Sequence, residues 1–187
     1  PEQMRAARML VCKRYAWRGY CLDGADDSLR PRQCAEHEIT VIASTDCTTI
    51  GTITLGLDGP RGLRADETHG DSVASARLGG RRVCELTRLA VDERADSRAV
   101  LASLFTLVYE VGRTIHGVTD VFVEVNPRHV AFYTRVLGFV VAAGERFCER
   151  VRAPSVLLHL EVDQLEQRLR VLCLGTGAAA LPMAQAA

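Results

Sequence analysis

Lysine is all but missing from this chain: Lys13 stands alone, and every other basic residue is arginine. Genome base composition accounts for such a bias, and arginine suits phosphate recognition in either case. Net charge is missing too, since 23 Lys and Arg balance 23 Asp and Glu. No global field therefore draws the protein to nucleic acid or to an acidic membrane surface, and any electrostatic partner must be read by a local patch. No apolar run approaches the roughly 18 residues of a membrane span, and no charged-then-apolar segment opens the chain as a secretory signal would. Cysteine is not scarce, but Cys12, Cys21, Cys34, Cys47, Cys84, Cys148 and Cys173 form an odd set with no C-x-x-C pair and no histidine at ligand spacing. That argues against a disulfide framework and against a metal site. Cys84, in RRVCELTRLAV, sits where a small apolar residue belongs. A reducing cytoplasm is the expected compartment. The sequence opens at Pro1 without a methionine, which leaves room for a segment upstream.

What is present is enough for one good core: 187 residues, 48% hydrophobic and 25% charged. A single domain is expected over residues 1–175, with 176–187 a loose tail of small residues. MRAARMLVCKRYAWRGY places Met9, Leu10, Cys12 and Tyr15 at helical spacing and stops at Gly19. A polar, Pro-containing loop, DGADDSLRPRQCAEHE, precedes ITVIAS and TIGTITLGL, two strands joined by the turn TDCT. Residues 58–80, rich in Gly, Asp, Arg and Ser, read as a long excursion with room for short helices. RRVCELTRLAV is the next strand. RAVLASLFTLVYEVGRTIHG then repeats apolar residues from Val100 through Leu104, Phe105 and Val108 to Val111 and Ile115, an amphipathic helix closed by Gly117. VTDVFVEVN is a strand and PRHVAFYTRVLG a helix with Pro127 in its first turn. FVVAAGERF and SVLLHLEV are strands, and DQLEQRLRVLCL is the last helix.

This order implies an α/β fold: a mixed sheet with helices on both faces and a parallel pair, Cys84–Val91 beside Val121–Val125, at its centre. The segment 82–139, ending in NPRHVAFYTRVLGF, resembles the core of the GNAT acyltransferase fold. The resemblance implies that the two central strands splay and admit the pantetheine arm of an acyl thioester. Acetyl-CoA users of that fold carry a glycine-rich loop between the central strand and the long helix, where backbone amides cradle a pyrophosphate. Here the loop is VDERADSRAVL, without a glycine. Side chains obstruct close backbone approach, so a donor lacking the pyrophosphate, acyl-acyl carrier protein, is expected. Arg94 and Arg98 flank the loop as candidates for a phosphate or for an acidic helix of the carrier.

CELTRLAVD resembles the Glu-x-Ser/Thr-Arg-Phe/Leu motif of acyl-homoserine-lactone synthases. LVCKRYAWRGY, IGTITLGLDGPRGLRADE, RRVCELTRLAV, NPRHVAFYTRVLGF and APSVLLHLEV, in that order over residues 10–162, resemble the long-chain N-acyl amino acid synthases of the FeeM type. That resemblance implies transfer of a long-chain fatty acyl group from the carrier to the α-amine of an amino acid, tyrosine in the best-known member. It implies no separate cofactor, because the donor brings its own phosphopantetheine. RPRQCAEHEIT does not match the acidic residues that homoserine-lactone synthases place before their first strands, which argues against a homoserine-lactone product.

Aminolysis of a thioester needs a base for the amine proton, an oxyanion donor and a route for the thiolate to leave. By resemblance Glu85 is the base; its plain alternative is an ion pair with Arg88, although strand alternation puts the two on opposite faces. Thr87 shares the face of Glu85. Arg88 is a candidate to orient the carrier's arm or the acceptor carboxylate, and the amides of Leu89, Ala90 and Val91 lie where the fold offers a donor to the thioester oxygen. Tyr133 is a candidate acid for the thiolate. In acetyl-CoA members that Tyr usually stands four residues before the Gly of the GF pair, whereas Tyr133 precedes Gly138 by five, an offset worth about 100° of helix rotation. Tyr133 and Phe132 read equally as core or as acyl-tunnel wall. His129 is the rival acid, and Asn126 at the strand end is a candidate substrate contact. An acetyl-CoA N-acetyltransferase with a drifted loop and a non-catalytic acyl or carrier-binding module remain the alternatives.

Overall fold

The computed structural model describes residues 2–20, 37–46 and 48–174. The tail expected beyond 175 and most of the polar loop 23–38 lie outside them. Among the described residues six strands form one sheet in the order β1-β2-β3-β4-β6-β5, comprising β1 (Glu38–Thr45), β2 (Thr48–Leu57), β3 (Val83–Val91), β4 (Asp120–Val125), β5 (Val140–Cys148) and β6 (Ala153–Glu161). Only β3 and β4 are parallel; every other pair is antiparallel. The expected mixed α/β sheet is therefore present, with the expected hairpin at its start.

Side-chain alternation divides the sheet into two faces. Ile53, Leu55, Cys84, Leu86, Val121 and Val123 pack against α3 (Ser97–Glu110) and α5 (Val162–Leu174) in the main core. Val83, Phe122 and Leu157 point the other way, to Leu63, Ala65 and Val73 of α2 (Asp66–Leu78) and the turn before it. The same face carries Ala90, on which Leu10 and Val11 of α1 (Glu2–Trp17) are packed.

Three expectations are corrected. The excursion over 58–80 is mainly one helix, α2, kinked at His69; its buried face is so narrow, His69 and Val73, that no apolar period announces it. In α1 the buried side chains are Ala7, Leu10 and Val11, while Met9 is 67% exposed. The long helix does not keep its register to Ile115. It passes into a π turn over Val111–Ile115, whose wider winding carries Ile115 to 68% exposure.

Candidate active site

The central strands stay together for only three residue pairs, Val83 with Asp120, Cys84 with Val121 and Glu85 with Phe122. Beyond Glu85 they part. The cause is visible in β3: the ladder to β2 runs Thr54↔Thr87 and then Thr52↔Ala90, so β3 spends one residue more than its partner, and Arg88 takes a left-handed φ of 52°. Such a bulge bends and twists its strand. It leaves a cleft of about 410 Å³ between β3 and β4. Glu85, Thr87 and residues 88–91 line one wall, while Asn126, His129, Phe132 and Tyr133 line the other, so the expected site residues from the two strands do meet.

Glu85 sits at the apex, 5% exposed. Its Oε1 accepts from the backbone N–H of Arg64 at 2.9 Å and its Oε2 from that of Ala65 at 3.0 Å. Burial raises its carboxyl above the ordinary value, with those two amides and the Arg150 and Arg64 guanidiniums opposing the rise. A carboxylate so placed takes up a proton more readily than one in water, which suits it to accept one from an amine. Arg88 is not held apart by strand parity. The bulge swings it onto the face of Glu85, where its guanidinium donates to Glu38 Oε2 at 2.8 Å. Arg64 donates to the other oxygen, Glu38 Oε1, from Nε at 3.1 Å and from a terminal nitrogen at 3.0 Å. Burial alone would raise the Glu38 carboxyl, but Arg88 and Arg64 outweigh it and bring it below its usual value. Two guanidiniums thus share one carboxylate beside the candidate base.

On the opposite wall Tyr133–Leu137 is a π turn closed by Gly138 at φ 83°. One extra residue per turn is what a π turn accommodates, and it absorbs the offset between Tyr133 and Gly138. Tyr133 faces the cleft at 7% exposure, edge-on to Phe105, Phe132 and Phe139. Burial, then the neighbouring Tyr15 and Tyr20, raises its hydroxyl above the ordinary tyrosine value. His129 Nε2 accepts a hydrogen bond from the Arg18 guanidinium at 3.0 Å, and burial together with Arg18 and Arg128 lowers its pKa to about 4. A ring that is neutral through the working range makes a poor acid for a thiolate. Asn126 is engaged at both ends of its amide: Oδ1 accepts from the N–H of Arg128 at 3.3 Å, and Nδ2 donates to the Pro154 carbonyl at 3.1 Å. It ties the end of β4 to β6.

Asp92 donates its N–H to the Ile50 carbonyl on β2. Alternation along the strand turns the N–H of Val91 to the other edge, toward the open cleft. At the start of α3, Asp96 caps the helix, its Oδ1 accepting from the N–H of Arg98 at 3.0 Å and of Ala99 at 3.3 Å. The amides a pyrophosphate would use already hold a carboxylate. Arg94 and Arg98 are exposed beside this loop and are not among the lining of the cleft.

Sequence reasoning missed Glu38, Arg64, Glu124, Ser155 and Arg150. Arg150, on the turn between β5 and β6, donates to the Arg64 carbonyl at 2.6 Å, to Glu67 at 2.8 Å and to Glu124 in a short contact. Ser155 donates to Glu124 at 2.7 Å. A signal existed for two of them: Glu124 and Ser155 are polar side chains set between apolar neighbours on their strands. Nothing local marked the arginines.

A buried carboxylate at the apex of a splayed β3–β4 pair, a tyrosine across the gap and an amide aimed between them define an acyltransferase of the GNAT fold. Solved structures carry the same architecture. An acyl-homoserine lactone synthase described as CoA-dependent, BjaI, has a TM-score of 0.60 at 17% identity, covering 96% of this chain and 82% of its own. A putative N-acetyltransferase from Lactobacillus plantarum has 0.59 at 17%, covering 87% and 92%. FeeM, an N-acyl amino acid synthase from uncultured soil microbes, reaches a TM-score of 0.78 at 27% identity over 90% of this chain and 95% of that one. No curated relative matches the chain by sequence. The family model of N-acyl amino acid synthase FeeM matches residues 6–161. The chain belongs to that family and is an N-acyltransferase.

Proposed function

We propose that this enzyme transfers a long-chain fatty acyl group from acyl-acyl carrier protein to the α-amine of an amino acid, tyrosine first among candidates. The observation that carries the choice of donor is the Asp96 cap: with its carboxylate on the first amides of α3 and no glycine in the loop, a CoA pyrophosphate meets both a like charge and side-chain bulk. A carrier's arm ends in a single phosphodiester and asks less of that corner. Arg94 and Arg98, exposed beside it, are available to the carrier's own surface. An aromatic acceptor is supported by Tyr15 and Tyr20, which form an edge-to-face pair at 5.5 Å on the cleft wall. The donor supplies its own phosphopantetheine, so the reaction needs no separate cofactor.

In this reading the acceptor amine attacks the thioester carbon while Glu85 takes its proton, forming the new C–N bond and an oxyanion. The Val91 amide stabilises that oxyanion. Collapse breaks the C–S bond, and Tyr133 protonates the departing thiolate, recovering its proton from solvent or from Glu85. Thr87, Leu89 and Ala90 shape the β3 wall and Phe132 and Asn126 the β4 side. The test is a comparison of kcat/KM for one acyl chain presented on carrier protein and on CoA, with tyrosine and other amino acids as acceptors. The carrier should win by at least tenfold; equal values reject the donor assignment, and acetylation of small amines alone rejects the acceptor class.

A further inference from the structure

The mouth of the cleft is crossed by the end of α1. Arg14 and Arg18 line it there, Arg14 contacting Glu93 of the loop after β3 at 3.4 Å and Arg18 reaching His129 beyond β4 at 3.0 Å. Both guanidiniums lie against one indole, at 4.7 and 5.4 Å from the Trp17 ring centroid. Ser97 and Leu101, from the first turn of α3, line the same mouth. This is the corner at which an arm running out of the splay must pass. The amides that would normally meet its phosphate are filled by Asp96, and besides its stacking on Trp17 the Arg14 guanidinium makes, among the described residues, a long contact to a half-exposed Glu93, which Lys13 also approaches at 3.6 Å.

We propose that Arg14 of α1 and Arg18 of the turn that follows it form the phosphate subsite of this enzyme, taking the single phosphodiester of a phosphopantetheine arm in place of the α3 amides. This rests on the reading of the donor given above. Two guanidiniums stacked on one indole are pre-oriented, so little side-chain freedom is lost when an anion arrives, and each offers a planar fork matched to phosphate oxygens. The Glu93 contact is the one that the phosphate displaces. A second phosphate, as in CoA, meets the Asp96 carboxylate on the first amides of α3, and Arg94 and Arg98 beside that loop are not among the lining residues.

The test uses two synthetic donors with one acyl chain, acyl-4′-phosphopantetheine and acyl-pantetheine, which differ only in the phosphate, with tyrosine as acceptor. In the wild-type enzyme the phosphorylated donor should have a kcat/KM about tenfold higher, one charge-assisted contact's worth. Arg14→Gln/Arg18→Gln should bring that ratio near one through KM. The Lys variants, which keep the charge, should retain part of it. Arg94→Gln/Arg98→Gln should leave the ratio intact. Calorimetry with 4′-phosphopantetheine alone reads the same subsite without turnover: binding should weaken about tenfold in the folded Gln pair. Equal losses on both donors, a ratio erased instead by the Arg94 and Arg98 changes, or unchanged 4′-phosphopantetheine binding overturns the subsite. Failure of any acyl amide to form, with phosphopantetheine binding still dependent on Arg14 and Arg18, would reject the catalytic reading and leave the subsite standing.

Discussion

Gly56 of β2 and Glu85 of β3 are direct cross-strand partners, and a Cβ built at Gly56 would stand 2.9 Å from Glu85 Cγ and 3.1 Å from its Oε1. Glycine is therefore required by contact, not by backbone conformation. Gly56→Ala must push the carboxylate off the Arg64 and Ala65 amides. Overpacking of this kind costs about 1–3 kcal/mol, and misplacing a base costs more in rate than in stability. The expected result is a Tm lowered by several degrees with kcat down by about 10²; unchanged kcat per folded molecule would show that the Glu85 position does not matter.

Glu85→Gln tests the base directly. A positioned general base is worth roughly 10²–10⁴ in rate, and the acid limb of the pH–rate profile should vanish with it. Stability carries a second signature. Because burial raises the folded carboxyl above its unfolded value, its contribution is fully present below the unfolded value and is lost as pH rises through the folded one. Gln does not titrate. The difference in Tm should therefore shift in favour of Glu85→Gln as pH rises through that window, and a difference that stays flat would mean that Glu85 is not held above its ordinary value.

The fold was legible because its signals are local: the β1–β2 hairpin, the apolar face of α3 and the Asn-Pro stop after β4 each follow from a few adjacent residues. The face of Arg88 was not. Alternation placed it opposite Glu85, and only the bulge, a matter of register between β2 and β3, reverses that. The π turns at Val111 and Tyr133 are equally silent, since the residues in them are ordinary helix residues. Glu38, Arg64 and Arg150 come from three separate loops or strand ends and meet Glu85 only after folding. Long-range ion pairs leave no spacing to read.

Arg150 should prove to be a structural clamp. Glu124 has a side chain 9% exposed, and Arg150 is its guanidinium partner. Arg150→Met leaves that carboxylate buried beside Ser155 and His69, a situation that costs about 3–5 kcal/mol. Urea unfolding should show a loss of that size, with part of it recovered in Arg150→Met/Glu124→Gln, where the buried charge is gone. Absence of any recovery would indicate that the contacts of Arg150 to Arg64 and Glu67 carry the effect instead.

Tyr133 separates chemistry from packing. Its hydroxyl is raised above the ordinary value by burial, so it keeps its proton throughout the working range and sets no basic limb itself, although the same rise makes it a weaker acid toward the thiolate. Its ring also packs against Phe105 and Phe139, and Tyr133→Phe preserves that packing while deleting the proton. For an alkyl thioester, whose thiol is a poor leaving group, kcat should fall by about 10–10². An aryl thioester leaves without help, so the same variant should turn it over at nearly the wild-type rate. A penalty equal for both thioesters would assign Tyr133 to the wall of the cleft, and a penalty for neither would show that the thiolate departs unaided.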